Sequence, residues 1–304
     1  MNMAAADLEA EVAEMSCASC GIAEIDDIKL MECNVCDLVR YCSVKCQRDH
    51  IPKHLQVCKK RASELRDEIL FKQPESSHLG DCPICCLPLS IYKKNFTLYS
   101  CCSKRLCNGC VYANKLRQIE GRLEEKCPFC MQLMPDTDEE VKMNLMRRIE
   151  ANDPIAMHEI GMMRYLEGDY EAAFDYWTKS AELGDVVAQY NLTTLYFEGE
   201  GVEKDEKKEL YHLEEAAIGG HPVARYNLGC YEEEHERIER AVKHYIIAAN
   251  LGHDKSIQAL KECYADGTIS KEDFAAALRG HQAAVDATKS HQREEAANFF
   301  VTHC

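Results

Sequence analysis

Sixteen of the nineteen cysteines lie between Cys17 and Cys130, and their spacing constrains the fold of this 304-residue chain more than any other feature. A module of about forty residues cannot bury enough apolar surface to fold on its core alone, so it needs cross-links or metal. Disulfides require an oxidising compartment and a secretory signal. Residues 1–16 are acidic and lack the basic start and apolar centre of such a signal. We therefore expect zinc-bound thiolates in the cytoplasm or nucleus.

The first cysteine block contains eight donors, enough for two tetrahedral zinc sites. Thiolate sulfur and imidazole nitrogen are the ligands that Zn²⁺ prefers, and a structural site fills all four positions with protein. The donors are Cys17, Cys20, Cys33, Cys36, Cys42, Cys46, His54 and Cys58. His50, one helical turn before His54, is the alternative imidazole.

The order of these donors, with the run from Tyr41 to Gln47, resembles the MYND zinc finger over residues 17–58, here called the first finger. The resemblance implies interleaved ligand sets: Cys17, Cys20, Cys42 and Cys46 on one metal, and Cys33, Cys36, His54 and Cys58 on the other. It also implies that short proline-containing peptides bind at Ser43, Gln47 and Ile51. The family usually carries tryptophan at the position of Ile51, and isoleucine offers a proline ring less flat surface.

Residues 59–81 join the first finger to a second cysteine block. Leu65, Ile69 and Leu70 recur at helical spacing and predict a helix from Ala62 to Phe71. The segment from Gln73 to Gly80 gathers Pro, Ser and Gly without periodicity, which is typical of a linker.

The second block, residues 82–130, offers eight more thiols in a pattern that resembles an all-cysteine RING finger. Lys104 stands where the common RING has a histidine, and a charged lysine cannot bind zinc. The resemblance implies one site from Cys82, Cys85, Cys107 and Cys110, and another from Cys101, Cys102, Cys127 and Cys130. Cys86 is left over. The alternatives are a substitute for a neighbouring ligand and a buried spare thiol, and we expect the spare thiol. About four zinc ions are therefore predicted for the chain.

RING fingers commonly recruit a ubiquitin-conjugating enzyme through an apolar groove and supply no nucleophile of their own. By resemblance, the groove residues are Ile84 and Pro128. Many active RING ligases carry a basic residue immediately after the last ligand, where this chain has Met131. Ubiquitin-ligase activity and a RING that only binds therefore both remain open.

After a connecting helix over residues 131–153, the chain repeats itself. Segments that begin at Ala156, Ala188, Ala224 and Ser256 follow one another at intervals of 32, 36 and 32 residues, and the units end in a similar Ala-rich turn with glycine. The pattern predicts pairs of helices, and it resembles the Sel-one-like repeat, a relative of the tetratricopeptide repeat, over residues 154–280. We place Trp177, Tyr211 and Tyr245 at comparable packing positions in the second helices.

The end of the chain, residues 281–304, is predicted as a closing helix that shields the last repeat, with a loose tail from Asn298. Ser270 is a candidate cap for a preceding helix from Lys271 to Gly280. The expected fold class is therefore small zinc-stabilised modules, MYND and RING cross-brace, followed by an all-α helical-repeat solenoid.

Charge bears on the partners. Residues 151–304 carry 15 basic and 29 acidic side chains, whereas residues 1–150 carry 21 and 23. The acidic second half disfavours nucleic acid, and no apolar run is long enough to cross a membrane. Without a recognisable nucleophile or phosphate-binding loop, the sequence favours a protein-interaction adaptor. The alternatives are a RING-type ubiquitin ligase and a transcriptional regulator that acts through the MYND finger.

Overall fold

The computed structural model describes residues 16–25 and 27–303, with side chains described as far as residue 300. The expectation about a secretory signal concerns residues 1–16, and residues 1–15 lie outside the described residues. The chain divides into two compact units between Lys72 and Gln73. Among the described residues, every helix is too short or too polar to span a bilayer.

The first unit is a small fold built around cysteines. Strands β1 (Met31–Glu32) and β2 (Arg40–Tyr41) form an antiparallel pair, and helix α1 (Val44–Leu70) follows directly. Ser43 begins α1 by accepting a hydrogen bond from the amide of Cys46 at 3.2 Å. The only large aromatic ring in the described core of this unit is Tyr41, which is 1% exposed among the thiols.

The helix that the sequence predicts from Ala62 to Phe71 is not a separate element. It is the second half of the 27-residue α1, which also carries Cys46, His54 and Cys58. No glycine or proline lies between Cys58 and Ala62, so nothing in that stretch ends the helix.

The second unit begins with the linker and the second block. Strands β3 (Phe96–Tyr99) and β4 (Lys104–Cys107) form an antiparallel hairpin that pairs Phe96 with Cys107. A 3₁₀ turn, Lys93–Asn95, precedes β3, and helix α2 (Asn108–Glu120) follows β4. Leu89 and Leu106 are buried with the cysteines, so the metal ligands are part of a small apolar core.

Ten further helices complete the described chain. They are α3 (Asp138–Glu150), α4 (Pro154–Leu166), α5 (Tyr170–Glu182), α6 (Val186–Glu198), α7 (Glu206–Ile218), α8 (Pro222–Glu234), α9 (Ile238–Asn250), α10 (Asp254–Ala265), α11 (Lys271–Ala287) and α12 (His291–His303). From α3 to α11, consecutive helices pack against one another, which is the arrangement of a helical-repeat solenoid. The starts of α4, α6, α8 and α10 reproduce the intervals read from the sequence.

Only two of the three aromatic residues predicted to pack in the second helices are buried in the structure. Trp177 and Tyr245 are 2% and 1% exposed, but Tyr211 is 54% exposed. Leu213, two residues later in α7, takes the equivalent buried place at 4% exposure. The assignment of Tyr211 to the core was therefore wrong, because residue type alone was matched instead of the position in the helix.

The end of the chain also differs from the prediction. Helix α11 runs through Gly280 to Ala287. A Cβ built on Gly280 would lie 2.0 Å from the Asn250 side-chain oxygen, so this glycine permits a close helix contact and does not end a helix. The tail predicted to be loose is part of α12, which packs on α2.

Candidate metal centres

The structure gathers sixteen predicted donors into four groups of four. Within each group the ligand atoms all lie within 4.8 Å of one another. The groups are Cys17, Cys20, Cys42 and Cys46 (cluster 1); Cys33, Cys36, His54 and Cys58 (cluster 2); Cys82, Cys85, Cys107 and Cys110 (cluster 3); and Cys101, Cys102, Cys127 and Cys130 (cluster 4). These are the sets that the two family resemblances imply.

The distances between donors fit tetrahedral zinc. Four sulfurs, each about 2.3 Å from one Zn²⁺, lie about 3.8 Å apart. Cys42 Sγ is 3.6 Å from Cys46 Sγ in cluster 1, and Cys102 Sγ is 3.8 Å from Cys127 Sγ in cluster 4. All eighteen cysteines that the structure describes are free thiols. Each cluster therefore suits a closed structural zinc site, and several Zn²⁺ ions are the cofactor of this chain.

The imidazole of cluster 2 belongs to His54. Its Nε2 lies 3.0 Å from Cys36 Sγ, and the residue is 7% exposed. His50 faces elsewhere, with its Nδ1 3.1 Å from the hydroxyl of Tyr41. The rings of the two histidines stack at 5.6 Å, so His50 packs beside the ligand and the structure gives it no place in the cluster.

Four of the cysteine pairs are held by the same backbone turn. The residue after the second cysteine has positive φ in each: Gly21 (74°), Asp37 (55°), Cys86 (55°) and Met131 (63°). The amides of these residues donate to the carbonyl of the first cysteine of the pair, at 2.8, 3.3, 2.8 and 2.9 Å. The turn aims both sulfurs of a pair at one point and leaves the following side chain outside.

This turn corrects the prediction for Cys86. We expected a buried spare thiol, but the residue is exposed. Because Cys86 occupies the left-handed position after Cys85, its side chain points away from cluster 3. A local conformation set by the metal turn outweighs the usual preference of a free cysteine for the interior.

Hydrogen bonds and crowding shift the thiol pKa values in opposite directions. Burial raises the pKa of Cys17, but the backbone amides of Cys42, Cys20 and Ser19 outweigh it and lower the value to about 6. Contacts with Cys20 and Cys46 raise the pKa of Cys42 to about 12. Some donors are thus prepared as thiolates, while close approach disfavours ionising all four without a cation. A divalent metal resolves this conflict.

The residues predicted to contact partners lie at the rims of these clusters. Ser43, Gln47 and Ile51 are spaced by four residues at the start of α1, so they share one face of the helix. Ser43 and Gln47 are half-buried and Ile51 is 47% exposed. In the second block, Ile84 is 43% exposed and Pro128 is half-buried, each between the two cysteines of a pair.

Family models match a MYND finger over residues 17–58 and Sel1 repeats over residues 154–185, 186–221 and 222–253. The chain contains a MYND finger and Sel1 repeats. The boundaries of the three repeats coincide with the helix pairs α4–α5, α6–α7 and α8–α9. The chain is therefore a zinc-binding protein built from modules that mediate protein–protein interaction.

The region matched in two curated relatives is only part of each of those proteins. The mouse protein named DAP3-binding cell death enhancer 1 is 25% identical over 202 residues, which cover 53% of this chain and 40% of that protein. The rat protein of the same name is 24% identical, with 53% and 39% coverage. This chain thus spans less than half the length of the curated relatives it matches.

Two solved structures are also similar. A Sel1 repeat protein from Oxalobacter formigenes is 33% identical, covers 40% of this chain and 96% of its own, and gives a TM-score of 0.36. The protective antigen c5321 from uropathogenic Escherichia coli, which has an SLR fold, is 18% identical with 63% and 40% coverage and a TM-score of 0.38.

One side chain outside the sixteen donors reaches a metal cluster. Arg293, in α12, donates a hydrogen bond to Cys85 Sγ at 3.4 Å across 208 residues of sequence. Nothing in its local sequence signals this contact, because Arg293 belongs to a polar run that is typical of any solvent-facing helix.

Proposed function

We propose that this chain is an adaptor of the cytoplasm or nucleus, in which the first finger binds a short proline-containing peptide and the repeats hold a second protein. The observation that carries the proposal is the closed state of the four clusters: each fills its donor set with protein side chains, so no coordination position is left to activate water. The metals then have a structural role, and partners bind to the protein surfaces that the metals stabilise.

The peptide site is supported by an apolar stripe on α1. Val44, Ile51 and Leu55 are 59%, 47% and 41% exposed, and their spacing places them on one face together with Gln47. The hydroxyl of Ser43 is engaged as the helix cap, so that residue positions the stripe. A proline-containing apolar peptide would cover these side chains and find a polar anchor in Gln47.

Peptide titration of the full chain tests this site. We expect Ile51→Ala and Gln47→Ala each to weaken binding about tenfold, which is the ordinary loss for one contact of about 1.4 kcal/mol. Ile51→Trp should strengthen binding, because a flat ring gives proline more contact area. Val57→Ala is the matched control, since Val57 is 55% exposed and lies about 120° around the same helix from Ile51. Equal binding by all four variants would refute the assignment.

A protein partner for the repeats is supported by the curated relatives, whose name says that they bind DAP3. We propose that the repeats of this chain hold a protein, and purified DAP3 is the first candidate to test. Binding that persists in a first-finger Ile51→Ala variant would support the division of labour. If binding requires Ile51, the repeats are not the site.

A ubiquitin ligase is the second candidate, and an exposed side chain favours it. Ile84 remains 43% exposed although α12 packs on α2 of the same block. In RING-type ligases the corresponding position contacts the conjugating enzyme. Against this, Met131 stands where many RING ligases have a basic residue, and it is 53% exposed.

Incubation with a panel of ubiquitin-conjugating enzymes decides between adaptor and ligase. A ligase predicts chain formation that Ile84→Ala abolishes and Met131→Arg increases. Leu166→Ala, which removes a side chain 77% exposed on the repeats, should leave the reaction unchanged. No chain formation with any member of the panel would eliminate the ligase and leave the adaptor.

A further inference from the structure

We propose that Arg293 is the counter-charge of cluster 3, and that α12 packs on the second block only when this cluster holds its metal. The inference rests on the zinc sites and on no particular partner, so it is independent of the peptide site and of ligase activity. It concerns the second unit alone, in which α12 and the second block lie together.

The first observation is how closely α12 approaches the second block. A Cβ built on Gly109 would stand 2.9 Å from Arg293 Cγ, 3.1 Å from its amide nitrogen and 3.2 Å from its Cα. The backbone of α12 therefore touches the start of α2 at a point where only glycine fits. Further along, the rings of Tyr112 and Phe299 pack with centroids 4.9 Å apart.

The second observation is the set of hydrogen bonds that the Arg293 guanidinium donates. Nη2 donates to Cys85 Sγ at 3.4 Å and to the carbonyl of Leu87 at 3.1 Å. Nη1 donates to the carbonyl of Pro88 at 2.6 Å and to that of Thr288 at 2.7 Å. One side chain thus joins the metal turn of cluster 3 to the loop that precedes α12.

The charges explain why this contact should depend on metal. Four thiolates around one Zn²⁺ carry a net charge of about −2, and a half-buried guanidinium beside them makes charge-assisted bonds. Without the metal, the two cysteine pairs of cluster 3 are no longer joined, and nothing holds their charge in place beside the guanidinium. Burying a cation without a counter-charge is costly. The metal therefore stabilises the docked α12, and by reciprocity the docked α12 stabilises the metal.

The test uses the full chain loaded with zinc. Arg293→Met removes the charge and keeps much of the side-chain volume. Lys289→Met is the matched control, because Lys289 is an exposed cation of the same loop, paired with Asp286 at 2.8 Å. During competition with a chromogenic chelator, we expect one zinc of Arg293→Met to be released at least about tenfold more easily, as for other supporting contacts. Lys289→Met should behave as the wild type.

Hydrogen–deuterium exchange supplies the reciprocal test. In Cys110→Ser, which lacks a ligand of cluster 3 other than the Cys85 that Arg293 contacts, amides 291–303 should lose protection while those of α4 to α9 keep it. Arg293→Met should show the same local loss. Unchanged zinc release in Arg293→Met, or unchanged protection of α12 in Cys110→Ser, would overturn the proposal. Loss of protection throughout the repeats would also overturn it, since the effect is confined to α12 and cluster 3.

Discussion

Gly229 offers the sharpest test of how the helix pairs pack. It lies inside α8, and a Cβ built there would stand 2.3 Å from Tyr245 Cε1 and 2.6 Å from Cδ1. The ring of Tyr245 cannot move aside, because it is 1% exposed and its hydroxyl donates to Glu233 Oε2 at 2.6 Å. Overpacking costs about 1–3 kcal/mol, and alanine recovers about 1 kcal/mol of helix propensity. We expect Gly229→Ala to lower the free energy of unfolding by up to about 2 kcal/mol.

A double-mutant cycle separates the clash from other effects. In the α6–α7 pair, Thr193 and Leu213 occupy the positions that Gly229 and Tyr245 occupy in the α8–α9 pair. The side chain of Thr193 is larger than that of glycine, and the facing Leu213 is smaller than tyrosine. In a Tyr245→Leu background, Gly229→Ala should therefore be neutral or should stabilise by up to about 1 kcal/mol. The two substitutions should be coupled by about 2 kcal/mol.

Urea denaturation followed by circular dichroism at 222 nm, with zinc present throughout, measures each corner of the cycle. Gly161→Ala serves as a second, independent test, because a Cβ at Gly161 would lie 2.5 Å from Trp177 Nε1 in the same way. The reasoning is refuted if Gly229→Ala costs the same in both backgrounds, or if it stabilises the wild-type protein.

Three further predictions concern single residues. Brief alkylation of the zinc-loaded protein should label Cys86 and spare the fifteen ligand cysteines, since Cys86 is exposed and unliganded; peptide mapping that finds Cys86 protected would contradict its outward turn. His54→Ala should lose one zinc and His50→Ala none, as counted by native mass spectrometry. Burial lowers the pKa of His78 to about 4, with Arg105 adding to the effect. This folded pKa lies below the unfolded value of about 6.5. The contribution of His78 to the free energy of unfolding is therefore complete above pH 6.5 and falls towards pH 4 by up to about 1.4 kcal/mol per pH unit. His78→Phe keeps the ring that stacks on His221 at 4.4 Å and should show a shallower fall between pH 7 and 5.5, whereas parallel curves would contradict this role.

The sequence was most informative where structure is local. Pairs such as Cys33 and Cys36 must lie close in sequence to form a metal turn, so their spacing is visible in the chain. The repeat intervals are equally visible, because each unit must present the same faces to its neighbours. The grouping of pairs into clusters came from family resemblance, since spacing alone does not say which pairs share a metal.

Contacts between distant segments left no such signal. The hydroxyl of Tyr92 in the second block donates to Asp254 Oδ2 at 2.5 Å, and His281 Nε2 lies 2.9 Å from Oδ1 of the same carboxylate. Tyr92 and Asp254 are exposed and His281 is half-buried, so their sequence context is that of ordinary surface positions. The packing of α12 on α2 was missed for the same reason.

Steric detail was also beyond the sequence pattern. Gly280 was predicted to end a helix because glycine often does so. It lies within α11 instead, where Asn250 leaves no space for a Cβ. Tyr211 resembles a core aromatic by type, but its position in α7 turns it towards solvent. In both cases the placement of the residue relative to the neighbouring helices, and not its type, determines its role.

The central claim is that bound metals shape the cysteine-rich part of this chain. Native mass spectrometry of the purified protein, compared with the same sample after acid and chelator, tests it most directly. The account predicts about four zinc ions per chain, one for each cluster of four donors. A chain that carries no zinc, or whose cluster cysteines are joined to one another as disulfides, would contradict it.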